Sequence, residues 1–182
     1  DTRDNLWIGT QDGLSRFDRN SDCFIHHLQG MNFSAYTEKN MVSDIFEDSN
    51  GNLWISSAAD VLLFNPGENT CSRFTSTNPF ILPPNFIGIA EDTSGQIWLA
   101  ERNALYRFNK DWNKNTCNDI PFTDNIMDYI DYEYIKSIAI DEDNKAWIPS
   151  NKGLHIYTIH SAKWQKYCHA TGKEKHIATN NI

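Results

Sequence analysis

The chain has 182 residues, of which 40% are hydrophobic, and carries a formal net charge of -8. This acidic balance argues against general binding to nucleic acid or to an anionic membrane surface, because such binding requires a basic face. No stretch approaches the roughly 18 consecutive apolar residues of a membrane helix, so we expect an extramembranous globular protein. The opening residues Asp1 to Asp4 resemble neither an initiator methionine nor a signal peptide, and we expect that a preceding part was removed.

Tryptophan marks an internal repeat along the chain. Trp7, Trp54, Trp98 and Trp147 lie 47, 44 and 49 residues apart, and each stands in similar surrounding sequence. The tryptophan segments are 5–10, 52–57, 96–100 and 145–150, and each is followed by a second run, at 13–18, 61–65, 104–109 and 153–157. Repetition at about 45 residues is typical of architectures that stack one small unit many times.

Each repeat predicts short β-strands, because runs of Val, Ile, Leu and aromatic residues alternate with turns rich in Gly, Asn, Asp and Ser. The second repeat contains four such runs, at 44–47, 53–56, 61–65 and 72–74. The first strands of the third and fourth repeats are predicted at 87–90 and 137–140. Four strands in about 45 residues is the pattern of a β-propeller blade.

We therefore predict an all-β fold: a β-propeller of about four four-stranded antiparallel blades that form an open arc or partial ring. The predicted segments are a partial blade 1 at 1–30, blade 2 at 31–78, blade 3 at 79–127, blade 4 at 128–176, and a lead-in to a further blade at 177–182. All of them belong to one propeller domain fragment. Four blades do not ordinarily close a ring, so we expect two chains or additional blades to cover the exposed blade faces.

The turns before the tryptophans support this register. Asp48 to Gly51 and Asp92 to Gly95 place Gly where a positive φ is needed and Asp where it can bond the backbone. In the fourth repeat, Asn144 is expected to take the place of Gly. Because acidic pairs such as Glu47 and Asp48 recur in the repeats, they are predicted to belong to the scaffold. The tryptophans are predicted to fill the gaps between neighbouring blades, with sugar stacking as the alternative.

The four cysteines, Cys23, Cys71, Cys117 and Cys168, lack the spacing of a zinc site. Each falls in or near the fourth strand of its own repeat. Outer strands of adjacent blades splay apart, whereas a disulfide needs Cα atoms within about 7 Å. We predict free thiols, no metal site and no cofactor.

The run Asn5 to Thr10, followed by Gly13 to Asp18, resembles the two-component regulator propeller repeat, and the resemblance covers residues 5–168. Residues Ser56-Ser57, Ala100-Glu101 and Pro149-Ser150 depart from the Gly-Thr of the first copy. The resemblance implies the extracytoplasmic sensor of a hybrid two-component receptor of Bacteroidetes. Such a receptor has two tandem propellers, a β-sandwich connector, a membrane helix and a cytoplasmic histidine kinase, and this chain would form part of its sensing end.

Loops at one end of the predicted blades form the candidate ligand-binding site. Carboxylates and amides there suit sugar hydroxyls and aromatic rings suit sugar faces, although the rings would also serve to pack the crossovers onto the blades. The acidic insertion at 124–133 suits a cation or a neutral sugar and should repel an anionic one. The candidate residues are Asp12, Tyr36, Asp60, Arg102, Asn103, Tyr129, Tyr132, Asn151 and Lys152.

Three functions are compatible with these observations. The first is a periplasmic sensor that binds an oligosaccharide and relays the signal to a histidine kinase. The second is a propeller lyase resembling virginiamycin B lyase, or a hydrolase, although no catalytic motif and no His/Glu cluster stand out. The third is a structural module that docks other proteins. The partners implied are an oligosaccharide, the remaining blades and connector of the receptor, and a second copy in a homodimer; no nucleic acid is expected.

Overall fold

The structure is a computed structural model of the chain, and it describes residues 1–27, 41–57, 61–74, 86–101, 105–108, 117–119 and 135–167. These residues form antiparallel β-sheets joined by turns, with one short 3-10 helical turn at Ile159–Ser161. Within these ranges no helix has the length and hydrophobicity that a membrane span requires. The all-β prediction is confirmed.

The strands form four sheets, and in every sheet consecutive strands of the chain pair side by side. Sheet 1 contains β1 (Leu6–Thr10), β2 (Gly13–Asp18) and β3 (Cys23–His27). Sheet 2 contains β4 (Val42–Glu47), β5 (Leu53–Ser57), β6 (Val61–Asn65) and β7 (Thr70–Phe74). Sheet 3 contains β8 (Gly88–Glu91), β9 (Ile97–Ala100), β10 (Leu105–Phe108) and β11 (Cys117–Asp119). Sheet 4 contains β12 (Ala139–Ile140), β13 (Lys145–Ser150), β14 (Gly153–Thr158) and β15 (Lys163–Tyr167).

This order confirms the predicted antiparallel blades, and the described residues give three strands to sheet 1 and four to each of the other sheets. The strands lie close to their predicted positions, and β6 coincides with its prediction at 61–65. β4 and β7 each begin two residues before their predicted starts, and β12, which was predicted at 137–140, pairs only over Ala139–Ile140. Ile135 adds an isolated bridge to Ser150, so the inner edge of sheet 4 is interrupted rather than continuous.

The chain divides into two compact units, Asp1–Phe86 with sheets 1 and 2, and Ile87–Ile182 with sheets 3 and 4. Each unit has its own apolar core between its two sheets, as expected when the apolar faces of two sheets bury one another. The core of the first unit contains Leu14, Leu53, Ile55, Leu62 and Phe64. The core of the second contains Ala90, Trp98, Ala100, Leu105, Ile135, Ile138, Ala146 and Ile148.

A turn that begins with aspartate leads into the tryptophan strand of every sheet. In sheet 2, Asp48 Oδ1 accepts hydrogen bonds from the backbone N–H groups of Asn50 and Asn52 at 2.9 and 3.0 Å. Its Oδ2 accepts one from the indole N–H of Trp54 at 3.0 Å. The same bond joins Trp7 to Asp1, Trp98 to Asp92 and Trp147 to Asp141, at 2.7, 2.9 and 2.6 Å. The predicted scaffold role of Asp48, Asp92 and Asp141 is confirmed, and Asp1 has the same role, which was not predicted from the sequence.

The fourth residue of each of these turns has a positive φ, which L-residues other than Gly, Asn and Asp adopt at a cost. Gly51, Gly95 and Asn144 have φ values of 75°, 78° and 61°, as their positions predict. Asp4 takes the same place in the first turn, with φ 59°. The turn therefore occurs four times, although only two copies carry Gly.

The tryptophans of sheets 1 and 3 pack against the next sheet of their own unit. The Trp7 ring lies edge-on to Phe64 of β6, with ring centroids 5.6 Å apart. The Trp98 ring lies 5.9 Å from Tyr157 of β14. Phe64 and Tyr157 occupy equivalent places in the third strand of their sheets. The prediction that tryptophan fills the gap between neighbouring blades is confirmed at both positions.

Two of the four cysteines have described side chains, Cys23 on β3 and Cys71 on β7, and both are free thiols, as predicted. Burial raises the pKa of the Cys71 thiol. Cys117 begins β11, but its side chain lies outside the described part of the structure, as does all of Cys168. The free-thiol prediction stands for these two as a prediction.

Candidate ligand-binding turns

The hairpin turns that follow the tryptophan strands of sheets 1 and 4 are built in the same way. Thr10 Oγ1 donates to the carbonyl of Gly13 at 3.0 Å and accepts from the backbone N–H of Asp12 at 3.2 Å. In sheet 4, Ser150 Oγ donates to the carbonyl of Gly153 at 3.1 Å and accepts from the backbone N–H of Lys152 at 3.1 Å.

The glycine that closes each turn has a strongly positive φ, 120° at Gly13 and 133° at Gly153. Any other residue would be strained there. A hydroxyl at the first position and a glycine at the fourth therefore hold the backbone on either side of the two residues between them. In sheet 1 these are Gln11 and Asp12, and in sheet 4 they are Asn151 and Lys152.

Three of the nine predicted site residues lie on these two turns. Asp12 and Lys152 are exposed, and Asn151 is half-buried. Asp12 supplies hydrogen-bond acceptors on the first turn, and Asn151 and Lys152 supply an amide and an ammonium group on the second. Asp12 belongs to the first unit, whereas Asn151 and Lys152 are adjacent in the second. The other six, Tyr36, Asp60, Arg102, Asn103, Tyr129 and Tyr132, lie outside the described residues, as does the acidic insertion at 124–133.

Sheet 3 has a carboxylate where sheets 1 and 4 have the turn hydroxyl. Glu101 directly follows β9, as Thr10 ends β1, and its Oε2 accepts a hydrogen bond from the Tyr106 hydroxyl at 3.1 Å. Both side chains are half-buried. The sequence signals Glu101 only as a departure from the Gly-Thr of the first copy, so its contribution to this end of the sheet was not predicted.

His27 lies beside the turn of sheet 1, because it pairs with Leu14 at the end of β3. Its ring stands between Trp7 and Phe64, with centroid distances of 5.1 and 5.5 Å. Burial lowers the pKa of this imidazole, which favours the neutral ring. Nε2 is buried and has no hydrogen-bond partner in the described part of the chain. The three rings pack against one another beside the turn, and His27 therefore has a packing role.

Ser15 and His26 form a serine–histidine pair in sheet 1. Ser15 Oγ and His26 Nδ1 lie 2.9 Å apart across β2 and β3. Ser15 is only 3% exposed, so its hydroxyl is not presented to solvent as a nucleophile would be. Among the described residues, no group of three His, Cys, Asp or Glu side chains has the arrangement of a metal site.

Comparisons with known proteins agree with this architecture. Residues 38–59, which contain the turn at Asp48 and the Trp54 strand, match the family model described as two-component regulator propeller. A comparison of the sequence with curated proteins gives no match.

Solved structures share the fold. One is the extracellular domain of a B. thetaiotaomicron protein described as a hybrid two-component system, with a TM-score of 0.74 and 15% identity. A second such domain from B. thetaiotaomicron has a TM-score of 0.67 and 23% identity. The alignments cover 98% and 97% of this chain but only 23% of each of those chains.

Virginiamycin B lyase from Staphylococcus aureus is also similar, with a TM-score of 0.64 and 18% identity over 92% of this chain and 53% of the lyase. At these identities, similarity establishes the fold, and β-propellers are used by proteins of very different functions. The four sheets are thus β-propeller blades, and residues 38–59 match the two-component regulator propeller repeat.

Proposed function

We propose that this chain is a segment of the extracytoplasmic, periplasmic sensor of a hybrid two-component receptor, and that it takes part in detecting an oligosaccharide. The observation that carries the proposal is the regulator propeller repeat at 38–59, within a chain whose other sheets repeat the same turn and tryptophan strand. Similar structures include extracellular domains of proteins described as hybrid two-component systems. In the proposed receptor, the propeller relays binding to a histidine kinase.

The chemistry of the two hairpin turns supports an uncharged, hydroxyl-rich ligand. Asp12 and Lys152 are exposed on turns whose backbone is held by internal hydrogen bonds, so little order is lost when a ligand binds. The net charge of -8 disfavours an anionic ligand over a neutral one of the same shape. A neutral oligosaccharide carries no charge and offers hydroxyl groups that hydrogen-bond to such side chains.

A route for the relay starts from the same strands. Each hairpin turn stands at one end of a tryptophan strand, and the aspartate turn stands at the other end. Hydrogen bonds connect the aspartate turn to the adjacent sheet in both units. Between sheets 1 and 2, Thr2 donates from its N–H and its hydroxyl to the Glu47 carboxylate, both at 2.7 Å. Between sheets 3 and 4, the Thr93 N–H donates to Asn144 Oδ1 at 3.1 Å. Displacement of a hairpin turn would thus be transmitted along a strand to a bond with the next sheet.

Calorimetric titration of the chain with a panel of neutral oligosaccharides, and with uronic-acid oligosaccharides of equal length, tests the proposal. We expect binding to at least one neutral member and weaker binding to its acidic counterpart. Asn151→Ala and Lys152→Ala should each weaken binding by about tenfold, equivalent to about 1.4 kcal/mol. Lys163→Ala is the matched control, since Lys163 is also an exposed lysine of sheet 4 but begins β15. Absence of heat across the panel, with a folded chain, would leave the docking module as the better explanation.

A propeller lyase or hydrolase is the second candidate, favoured by the similarity to virginiamycin B lyase. We propose that this segment is not an enzyme. Incubation of the chain with each oligosaccharide that binds, followed by mass spectrometry, should return the ligand intact. Formation of an unsaturated or hydrolysed product that is lost in His26→Ala would establish the enzymatic alternative instead.

A further inference from the structure

Sheet 3 departs from the repeat at the position that holds the hairpin turn in its neighbours. The third residue after the repeat tryptophan carries a hydroxyl in the other three sheets, where it is Thr10, Ser57 or Ser150. In sheet 3 this residue is Glu101, and the sequence has Ala104 where sheets 1 and 4 have the turn glycine. Sheet 3 therefore lacks both residue types that hold the turns of sheets 1 and 4, and the role of Glu101 is a different one.

The Glu101 carboxylate is half-buried and uses little of its capacity for hydrogen bonds. Its Oε2 accepts one bond, from the Tyr106 hydroxyl at 3.1 Å. Among the described residues, no lysine or arginine forms an ion pair with it. An ionised carboxylate has about four acceptor sites, and burying it with few partners is costly. Departures of this kind from a local pattern are expected at functional sites.

The carboxylate and the phenol ring lie on the same face of sheet 3. Tyr106 pairs with Leu99, and Glu101 follows Leu99 by two residues, so all three side chains point to one side. Because the Tyr106 hydroxyl donates its hydrogen to Glu101, the oxygen atoms of this pair offer acceptors to another molecule. A group that binds them must therefore bring hydrogen-bond donors.

The end of β9 lies at the same end of the second unit as the hairpin turn of sheet 4. A Cβ atom added at Gly88, the first residue of β8, would lie 2.9 Å from the Ile138 nitrogen beside β12. Strands β9 and β13 pair with β8 and β12 in the same way, so Glu101 and the turn of sheet 4 follow equivalent strand ends. That turn carries Asn151 and Lys152, whose amide and ammonium groups are donors.

From this arrangement we infer that Glu101 is a specificity-determining residue of the candidate site, which accepts hydrogen bonds from sugar hydroxyl groups, and that Tyr106 is a positioning residue that holds its carboxylate. The inference rests on the proposed function and specifies its ligand class. Two neighbouring hydroxyls of a neutral sugar can donate to the two oxygens of one carboxylate, whereas the carboxylate of a uronic acid brings no donor and is repelled. The ligand is therefore an oligosaccharide that presents adjacent free hydroxyl groups.

Calorimetric titration with the neutral tetrasaccharides of glucose, mannose, galactose and xylose tests the inference. Glu101→Ser introduces a residue that sheets 2 and 4 already have at this position. We expect it to weaken binding of the tightest tetrasaccharide by about tenfold or more, because hydrogen bonds to a charged group are lost. Glu142→Gln is the matched control, since it removes an exposed carboxylate from the aspartate turn at the other end of sheet 4, and it should bind like the wild type.

Monodeoxy analogues of the same tetrasaccharide give the decisive measurement. One analogue should bind the wild-type chain about tenfold more weakly than the parent sugar, yet bind Glu101→Ser as well as the parent does, because the partner of the missing hydroxyl is already gone. Tyr106→Phe should narrow the wild-type difference to about threefold, since the carboxylate is held less firmly.

Two results would overturn the inference while the proposed function stands: equal affinity of Glu101→Ser and the wild type for the parent sugar, or the same loss for every analogue in both chains. Absence of heat with all four tetrasaccharides, in a chain that circular dichroism shows to be folded, would overturn both. If Glu101→Ser unfolds, Glu101→Met replaces it, because methionine keeps the length of the side chain without an oxygen atom.

Discussion

Sheets 3 and 4 contain the same aspartate-to-tryptophan hydrogen bond in two different environments. The bond measures 2.9 Å between Trp98 and Asp92 and 2.6 Å between Trp147 and Asp141. Trp98 is fully buried against Tyr157, whereas Trp147 is 38% exposed. The bond therefore forms from the local turn alone, and burial depends on a neighbouring sheet. One repeat by itself therefore provides the hydrogen bond, and packing against a neighbouring sheet adds the burial of the indole.

The largest expected effect comes from removing the buried indole. Trp98→Ala should lower the free energy of unfolding by about 3–5 kcal/mol, since it removes a large side chain and leaves a cavity. Trp147→Ala should lower it by less than about 1.5 kcal/mol, because much of that ring already contacts water. Urea denaturation followed by circular dichroism measures both. Equal losses would mean that the hydrogen bond, rather than burial, dominates.

Separating sheets 3 and 4 should have the next largest effect. A Cβ atom added at Gly88 would lie 2.9 Å from the backbone nitrogen of Ile138, and the backbone cannot move aside easily. Gly88→Ala should therefore cost about 1–3 kcal/mol of unfolding free energy.

Gly67→Ala is the control for this substitution. Its added Cβ would meet only the side chains of Asn65 and Arg3, at 3.3 Å or more, and we expect a change within about 0.5 kcal/mol. If both alanines are tolerated equally in the urea experiment, the close approach at Gly88 does not limit the packing of sheets 3 and 4.

The buried carboxylate should matter more than the exposed one. Asp92 accepts hydrogen bonds from the backbone N–H groups of Ser94 and Gln96 and from the Trp98 indole N–H. In an asparagine at this position, the side-chain NH2 group would face one of these N–H donors, and that hydrogen bond would be lost. Asp92→Asn should cost about 1–2 kcal/mol. Asp141→Asn makes the same change at a partly exposed site. Water can hydrogen-bond to the unpaired donors there, so the loss of unfolding free energy should be smaller. Thermal unfolding of both variants ranks them, and a reversed order would contradict the comparison.

Lowering the pH should reduce the stabilisation that the same two carboxylates provide, and we expect this effect to be smaller. Burial raises the pKa of Asp92, but hydrogen bonds from Ser94, Trp98 and Gln96 outweigh it and hold that pKa below its usual value. The Trp147 bond does the same for Asp141. Because the folded-state pKa values are depressed, this stabilisation is complete above the unfolded value near 3.8 and is lost as pH falls through the folded values.

The midpoint of urea unfolding should therefore fall slightly between about pH 7 and 5, because the lowered pKa of His27 leaves more protons on the unfolded chain, and should decline further below about pH 4. The decline should be shallower in Asp92→Asn, which has no carboxyl group at that position to protonate. An identical decline in this variant would exclude Asp92 as a contributor.

The sequence predicts most of the fold because the repeat is local. Trp54 and the Asp48 turn mark the same register that the structure shows, and β6 was predicted to the residue. The Asp1 turn was missed because Asp4, rather than Gly, takes the positive φ. β12 is shorter than predicted because its regular pairing with β13 covers only Ala139 and Ile140, while Ile135 forms a separate bridge to Ser150, and no sequence signal marks this interruption.

The candidate site was less predictable because side-chain placement on turns depends on neighbours. Asp12 and Lys152 were chosen by their position between strands, but the Thr10 and Ser150 hydroxyls that hold their backbone N–H groups were not. Glu101 was also missed, since its contact with Tyr106 joins residues across a hairpin. The sequence does not distinguish the exposed Trp147 from the buried Trp54 and Trp98, because the local repeat is the same and burial depends on a neighbouring sheet.

The construction of the two hairpin turns has a practical consequence for protein engineering. In the turn of sheet 1, the Thr10 hydroxyl bonds the Gly13 carbonyl and the backbone N–H of Asp12. Randomising positions 11 and 12 should therefore yield combinatorial libraries in which most members still fold. The blades would then serve as a graftable binding scaffold, whose recognition properties are selected separately from its stability.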